Sequence, residues 1–559
     1  MPGRRGRVDF PMKPSSAETS TSAPGLPARL RKVLARPEWT GLCTLWGILV
    51  AWSLARAFIP GVNEPHYFCK AKYWWNPEWC AGDFFLASSN PHLVFYLTFG
   101  WLTRFFSLEI TAFIARLLSL LVVARGWQVM SRLLLPRLDL QALALVLLLL
   151  CQSLVNFSGE WLVGGVESKV LAYGLGFWAI GTAATGKGIQ AAGLLGGATS
   201  FHPLVGIWLT LCVLGGVAWS WRDWSSLPSR GSGQGSSPRY LRQYGGIVTC
   251  WLLWSLPGLI PALWMLLEPV SPRTRFAGDY LQVYYRLKHH LDPMEFPWWR
   301  YAAYAGMGLL VWVCHIRMKQ TVQRQSRELP FAWKFMIGVL LISVLIAVTG
   351  VLLGLRFGLP EQMPAFTLRL KLLKFYPFRI FDLLLPVLLS ILACAYGLAS
   401  SPSSETRAKK LRVLLASLLL AGLLSPFPAR NSSRLSDSKR QAWLETCDWI
   451  RTHTPPDALI QTPRLAWGFK WFAERAEYVN YKDCPQESSG IVEWNRRLLL
   501  LREWGQSAHA NDQVYSREET ADLASRTGIA YLVADRLGPF AQPPVFRNQY
   551  YRVYALREE

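Results

Sequence analysis

The chain has 559 residues, 51% apolar and 17% charged, with 27 Trp, a mean hydropathy of +0.19 and a net charge of +23. Soluble domains average about a quarter charged residues, so this composition excludes an ordinary string of soluble domains. The charge excludes nucleic acid as a partner: Lys/Arg and Asp/Glu nearly balance over 429–559, and the excess sits in the tail and connections of the apolar part, a topology signal in a lipid bilayer.

Residues 1–38 are basic and rich in Ser and Pro, and read as a disordered cytoplasmic tail with no cleavable signal peptide. From 39 to 428, apolar runs of helical length follow one another as a transmembrane domain. In lipid such runs must be helices, because unpaired backbone groups find no water there. The expected crossings are 40–59, 109–131, 139–156, 165–185, 188–201, 204–221, 245–267, 300–316, 333–355, 376–398 and 411–427, about eleven. The stretch 91–106, PHLVFYLTFGWLTRFF, is apolar but short and holds Arg104, so it is expected to lie on the outer surface. Basic residues gather in 1–36, 222–242, 317–334 and 407–412. The positive-inside rule puts these in the cytoplasm and makes 60–108, 268–299 and 356–375 outer loops.

An odd number of crossings leaves 429–559 outside. There GIAYLVAD and NQYYRVYAL read as strands, and RLLLLREW and REETADLASRTG as amphipathic helices, the second closed by Gly528. The fold class expected is an α-helical polytopic membrane protein with a small C-terminal extracytoplasmic α/β domain.

Three clusters could carry chemistry. The outer loop 61–86 holds Glu64, His66 and Asp83 among aromatics; a carboxylate at the membrane edge has a tunable pKa and can serve as a base. Glu160 stands in the outer turn before the run at 165–185, and Glu167 and Lys169 begin that run, where ionisable groups need a cavity or a partner. Arg369, Lys371, Lys374 and Arg379 break the positive-inside pattern, as cations held for a phosphate would; Asp382 can neutralise Arg379 at i, i+3. Glu64, Asp83 and Glu167 are also oxygen donors of the kind a divalent metal accepts. Cys69 with Cys80 and Cys447 with Cys484 fall in regions placed outside, so they are disulfide candidates. No HExxH, Walker, GxSxG or zinc-spaced Cys/His pattern is present.

The order of these parts resembles the GT-C glycosyltransferases: protein O-mannosyltransferases, aminoarabinose transferases and oligosaccharyltransferase catalytic subunits. The acidic first-loop motif is met by 63-NEPHY-67, the surface-helix start by 90-NPHL-93, the next helix by 115-ARLLSLL-121, and the later segment by 449-WIRTHTPPDALIQTP-463. Asn63 departs from the usual acidic pair. NEPHY, the GVESK of 165–169, the FHP of 201–203 and FKWFAERAEYVNYKDCPQ at 469–486 are similar to an uncharacterised bacterial membrane family of unknown function.

The resemblance implies transfer of a sugar from a polyprenyl-phosphate donor to an acceptor at the outer face of the bacterial inner membrane. It puts Glu64 in the role of base, with Asp83 or Glu167 assisting. Tyr67, His92, Lys169, His202, Arg369, Lys374 and Arg379 would line the substrate. The alternatives are a transporter or flippase of a lipid-linked or small polar substrate and a non-catalytic membrane scaffold.

Overall fold

Each apolar run becomes a helix in the computed structural model, which describes residues 37–225, 237–400, 405–424, 432–511 and 513–556; the expected basic tail, except its last two residues, and parts of the basic segments at 222–242 lie outside them. In chain order the helices are α1 (Pro37–Arg56), α2 (Glu64–Trp75), α3 (Leu93–Phe99), α4 (Leu108–Ser131), α5 (Leu138–Leu154), α6 (Ser168–Ala183), α7 (Gly188–Phe201), α8 (Pro203–Trp219) and α9 (Ser237–Leu266). Then come α10 (Pro272–Tyr280), α11 (Trp298–Arg324), α12 (Phe331–Gly354), α13 (Phe366–Leu373), α14 (Arg379–Ala399) and α15 (Glu405–Leu424).

The stretch 64–75, expected as a loop, is helical. Pro65 sits in its first turn, where a missing N–H does no harm. The surface stretch 91–106 is the short α3 followed by a 3₁₀ turn, Gly100–Arg104.

Among the described residues, three helices are by themselves long and apolar enough to cross a membrane: Tyr244–Leu266 of α9, α12 and α14. α14 is largely enclosed by its neighbours, whereas the apolar side chains of α9 face outward, with Leu253, Trp254 and Trp264 exposed. A helix apolar all round yet open on its outer side calls for hydrocarbon around it. Inside the bundle, α4 and α6 touch backbone to backbone: a Cβ on Gly126 would lie 2.1 Å from the Gly174 carbonyl oxygen. Small residues permit that approach in the absence of a hydrophobic drive between lipid-facing helices.

The C-terminal region is the expected α/β unit. It comprises α16 (Asp437–His453), β1 (Leu459–Gln461), α17 (Phe469–Ala473), β2 (Ala476–Glu477), α18 (Ser488–Asn511), α19 (Arg517–Thr527), β3 (Tyr531–Ala534), β4 (Phe546–Arg547) and β5 (Arg552–Ala555). The sheet runs β2-β1-β3-β5-β4, with β1 parallel to β2 and β3, and β5 antiparallel to β3 and β4. α19 starts on a Ser516–Glu519 capping box and stops at Gly528, whose φ of +79° suits glycine.

This unit is packed onto the first loop: Trp471 and Ala476 share an apolar cluster with Phe68, Phe85 and Phe95. The cysteines are corrected here, since all ten are free thiols. Cys69 and Cys80 are buried in that same cluster, while Cys447 and Cys484 belong to two different apolar clusters of the C-terminal unit. Packing, without a cross-link, holds both regions.

A buried ion pair fixes the loop to the bundle. Glu64, at the start of α2, is fully enclosed and faces Arg116 of α4, which is 2% exposed. Arg116 donates from Nε and Nη2 to Oε1 at 3.0 and 2.7 Å and from Nη2 to Oε2 at 2.7 Å; its Nη1 donates to the Ala57 carbonyl at 2.6 Å. The amides of Gly61 (2.5 Å) and Val166 (2.9 Å) complete the carboxylate's shell. One charge pair thereby joins the end of α1, α2, α4 and the turn before α6.

Removing one partner of such a pair strands the other charge, at about 3–5 kcal/mol. Arg116→Met is therefore expected to lower the melting temperature of the purified chain in lipid nanodiscs sharply, whereas Arg104→Met, on an exposed site, shifts stability by about 0.5 kcal/mol or less. Tryptophan-fluorescence melts of the two variants check this. Gly126→Leu should likewise force α4 from α6 and reduce the yield of folded, monodisperse protein in size-exclusion chromatography, while Gly47→Leu, at a glycine open to its surroundings, should not.

Candidate functional site

The connection between α5 and α6 has few backbone partners of its own, and a carboxylate from α14 supplies them. Asp382 accepts from the amides of Phe157 (2.7 Å), Ser158 (2.7 Å) and Glu160 (2.8 Å), and from the hydroxyls of Ser158 (3.1 Å) and of Tyr304 on α11 (2.5 Å). Gly159 takes φ +84° within this turn, against the ring of His290, whose Nδ1 meets the Ser158 carbonyl. The expected Asp382–Arg379 neutralisation is thus replaced: Asp382 is occupied by the turn, and the turn presents Glu160 to Arg379 at 3.0 Å. The Arg379 guanidinium also donates from Nη1 to His202 Nε2 at 3.0 Å and lies 4.2 Å over the Tyr376 ring.

Beside this pair, Lys169 of α6 stands between Glu160 (3.3 Å) and Glu167 (3.6 Å), above the Trp161 ring at 4.3 Å. Glu167 stands at the N-cap position of α6 without capping it through its side chain, which instead accepts from the Asn63 amide at 2.5 Å. That bond explains the departure at position 63, since a second carboxylate there has no proton to donate. Ser168 Oγ then bonds the His92 ring at 3.1 Å and donates to the Tyr67 hydroxyl at 3.4 Å. His92 packs against the rings of Tyr67 and His202 with centroids 5.3 and 5.0 Å apart.

The structure therefore brings together Tyr67, His92, Glu167, Lys169, His202 and Arg379 from α2, the 76–92 loop, α6, the α7–α8 junction and α14. All lie close to the helix ends beneath the first loop. Two carboxylates face two cations there, the condition under which charges persist away from water. Burial pushes the Glu160 carboxyl up against the pull of Lys169 and Arg379. Burial also lowers His92 to about 3, so its ring is neutral at physiological pH. Among the described residues, Arg379 Nη2 has no bonded partner, and with the Lys169 ammonium it offers donors for an anion.

Other expected site residues lie elsewhere. Glu64 is bound in the Arg116 clamp with each carboxylate oxygen already accepting at least two donors. Asp83 fastens the loop to the C-terminal unit: Oδ1 accepts from the Leu86 amide at 2.8 Å, and Oδ2 from the Glu477 amide at 2.9 Å, with Lys470 at 3.6 Å. Lys374 pairs with Asp279 at 2.6 Å, and Arg369 donates to the Leu355 carbonyl at 3.3 Å. Glu64, Asp83 and Glu167 form no common metal-ligand group, and among the described residues no three His, Cys, Asp or Glu side chains do. Ser168 carried no signal in the sequence, while Asn63 and Asp382 stood out only as a departure from the acidic pair and as a neutraliser of Arg379, not as partners of Glu167 and of the 157–160 turn. The signal that could have revealed the role of Asp382 was a carboxylate inside an otherwise apolar helix.

Comparison with known proteins adds the following. Among curated proteins none matches the chain. The crystal structure of the Archaeoglobus fulgidus oligosaccharyltransferase in the apo form is similar at 13% identity and TM-score 0.44, over 89% of this chain and 69% of that one. ArnT from Cupriavidus metallidurans is similar in its apo state (12%, TM-score 0.39) and bound to undecaprenyl phosphate (14%, TM-score 0.40), in each case over 93% of this chain and 98% of that one. At such identities the chemistry has to be read from this chain's own side chains. Residues 441–501 match the family model described as "Domain of unknown function (DUF6798)", and the run at 469–486 that carries the sequence resemblance to a family of unknown function lies within that match.

Proposed function

We propose that this protein is a membrane glycosyltransferase of the GT-C kind, moving a sugar from a polyprenyl-phosphate donor to an acceptor at the extracytoplasmic face. The carrying observation is the gathering of the 160–169 segment (Glu160, Glu167, Lys169) with His202 and Arg379, remote from it in sequence, at one end of the helical bundle. In this reading Lys169 and Arg379 Nη2 hold the donor phosphate, Glu160 and Glu167 fix the two cations in place, and Tyr67 and His92 border the sugar. The acceptor oxygen attacks the anomeric carbon from the face opposite the phosphate, inverting it. The electron pair of the broken bond leaves on the phosphate, where the two cations stabilise it.

The helix connectivity supports the orientation. Arg132 and Arg137 between α4 and α5, Arg222 after α8, and Arg317 to Lys334 around the α11–α12 turn stand at helix ends opposite those that carry the cluster. With eleven crossings, the positive-inside rule then leaves the N-terminus in the cytoplasm and the site and α/β unit outside a bacterial inner membrane.

Charge-assisted bonds to phosphate are worth about 1.5–3 kcal/mol, or roughly 10- to 100-fold in affinity. Arg379→Gln should therefore weaken binding of undecaprenyl phosphate to the chain in nanodiscs by that factor, and Lys374→Met, at a cation paired with Asp279, should leave it within about twofold. Microscale thermophoresis with the lipid in excess measures both; equal affinity for wild type and Arg379→Gln would sink the phosphate assignment. Reporter fusions after residue 432 test the orientation, and a cytoplasmic signal would overturn it.

A further inference from the structure

The cations of the first cluster face carboxylates; a second group of cations does not. It lies where the 268–299 loop meets the C-terminal unit. Arg286 closes the π-helical turn Leu281–Arg286, a local geometry frequent at functional sites. Its Nη2 donates to the Lys482 carbonyl at 2.7 Å, and its guanidinium lies 5.0 Å from the centre of the Tyr481 ring. Arg464 approaches the same ring at 4.9 Å and donates from Nη2 to the Tyr285 hydroxyl at 2.8 Å. The Tyr481 hydroxyl closes this frame by donating to the Tyr285 carbonyl at 3.2 Å. Lys482, the next residue, turns its ammonium to the Val62 carbonyl.

Two guanidinia and an ammonium are thus held by rings, a hydroxyl and carbonyls, and among the described residues none of the three forms an ion pair. Arg286 and Arg464 each keep Nε and Nη1 without a hydrogen bond there. Arg286 Nε is buried in that condition, as is Arg300 Nε at the start of α11; buried donors without partners are rare in folded proteins.

The neighbouring groups register the same excess of positive charge. His289, between Arg286 and Arg300 in the chain, is pushed below its ordinary pKa first by burial and then by Arg286, Arg300 and Arg434. Burial pushes Lys482 down to about 8, and Arg286 and Arg434 add to this against the pull of Asp483 and Glu167. Those two carboxylates are already engaged, Asp483 by Lys470 and His66, Glu167 by Lys169 and Asn63. Positive charge partly withdrawn from water needs a counter-charge, and paired guanidinia suit the oxygens of a phosphate.

The position of the group argues for a phosphate carried by a lipid. Arg300 follows Trp298 and Trp299, which are 78% and 44% exposed, and tryptophans at a helix end mark the headgroup level of a bilayer. α9, with its apolar side chains facing outward, ends at Leu266 just ahead of this loop. Tyr285 and Arg464 are exposed, so the frame is open from outside.

We propose that Arg286, Arg464 and Lys482 form a second anion site, separate from Lys169 and Arg379, which seats the phosphate of an anionic lipid headgroup from the outer leaflet. The headgroup bridges the loop, which supplies Arg286, and the C-terminal unit, which supplies Arg464 and Lys482. Only the choice of leaflet rests on the orientation proposed above. The site requires no group transfer, so it stands or falls apart from the transferase reading.

The test titrates dioctanoyl phosphatidylglycerol into the full chain in phosphatidylcholine nanodiscs and reads binding by microscale thermophoresis. Arg464→Gln and Arg286→Gln are each expected to weaken binding roughly 10-fold, the loss of one charge-assisted contact. Arg496→Gln removes an exposed cation of the C-terminal unit that Glu493 already pairs, and should bind as wild type does. Arg379→Gln should do so too, while losing undecaprenyl phosphate. Equal affinity in wild type, Arg464→Gln and Arg286→Gln would overturn the site. An equal loss in Arg496→Gln would also overturn it, reducing the effect to general charge. Loss in Arg379→Gln alone would overturn it by putting the lipid in the first cluster. Displacement of the lipid by inorganic phosphate at equal concentration would overturn the headgroup assignment in favour of a free phosphate. Should Arg286→Gln fail to fold, Arg464→Gln, at an exposed position, decides alone.

Discussion

The pairing of Glu64 with Arg116 is the constraint on which the half of the molecule around the first loop depends. Neither charge could persist where it stands without the other, because both are almost wholly enclosed. Once paired, they dictate where α2 begins, how the end of α1 meets α4, and where the backbone of Val166 must lie. α2 in turn carries Asn63 toward Glu167 on one side and His66 toward Asp483 on the other. A single helix start thus sets both contacts.

The same economy recurs at Asp382. A carboxylate inside an apolar helix is costly unless donors surround it, and the backbone amides of the 157–160 turn are costly unless acceptors meet them. Each solves the other's problem, and the outcome is a rigid turn that points Glu160 at Arg379. The chain from Asn63 through Glu167, Lys169, Glu160 and Arg379 to His202 alternates donors and acceptors. Such networks are rigid when fully satisfied, and an open donor in one is a place for a ligand. The C-terminal unit adds to this by closing over α2 through Trp471, Lys470 and Asp483.

Much of the architecture was legible in the residues. Helical runs follow from continuous hydrophobicity, the end of α19 from Gly528, and β3 from its run of β-branched and aromatic residues. Glu167, Lys169 and Arg379 were identifiable as charged groups out of keeping with their setting, Tyr67, His92 and His202 entered only through the family resemblance, and the six do meet. The failures have one origin. Glu64 was read as a base because its motif places an acid at the membrane edge, but its occupancy depends on Arg116, which stands 52 residues away. Arg379 was matched to Asp382 by helical spacing, yet Asp382 is claimed by amides 222 to 225 residues earlier. The cysteine pairs were matched by region, and the cores that hold them are separate for Cys447 and Cys484.

What the sequence by itself determined is therefore the class: helices suited to lipid, a biased distribution of basic connections, and a small α/β unit at the end. These are properties of local composition and of the solvent each segment tolerates, and they need no knowledge of neighbours. Which charges are used up in holding the fold, and which are left with an open donor, was decided only by tertiary structure. Hydrogen bonds act over about 3 Å, so the partner of a buried carboxylate is set by helix packing and can lie anywhere along the chain.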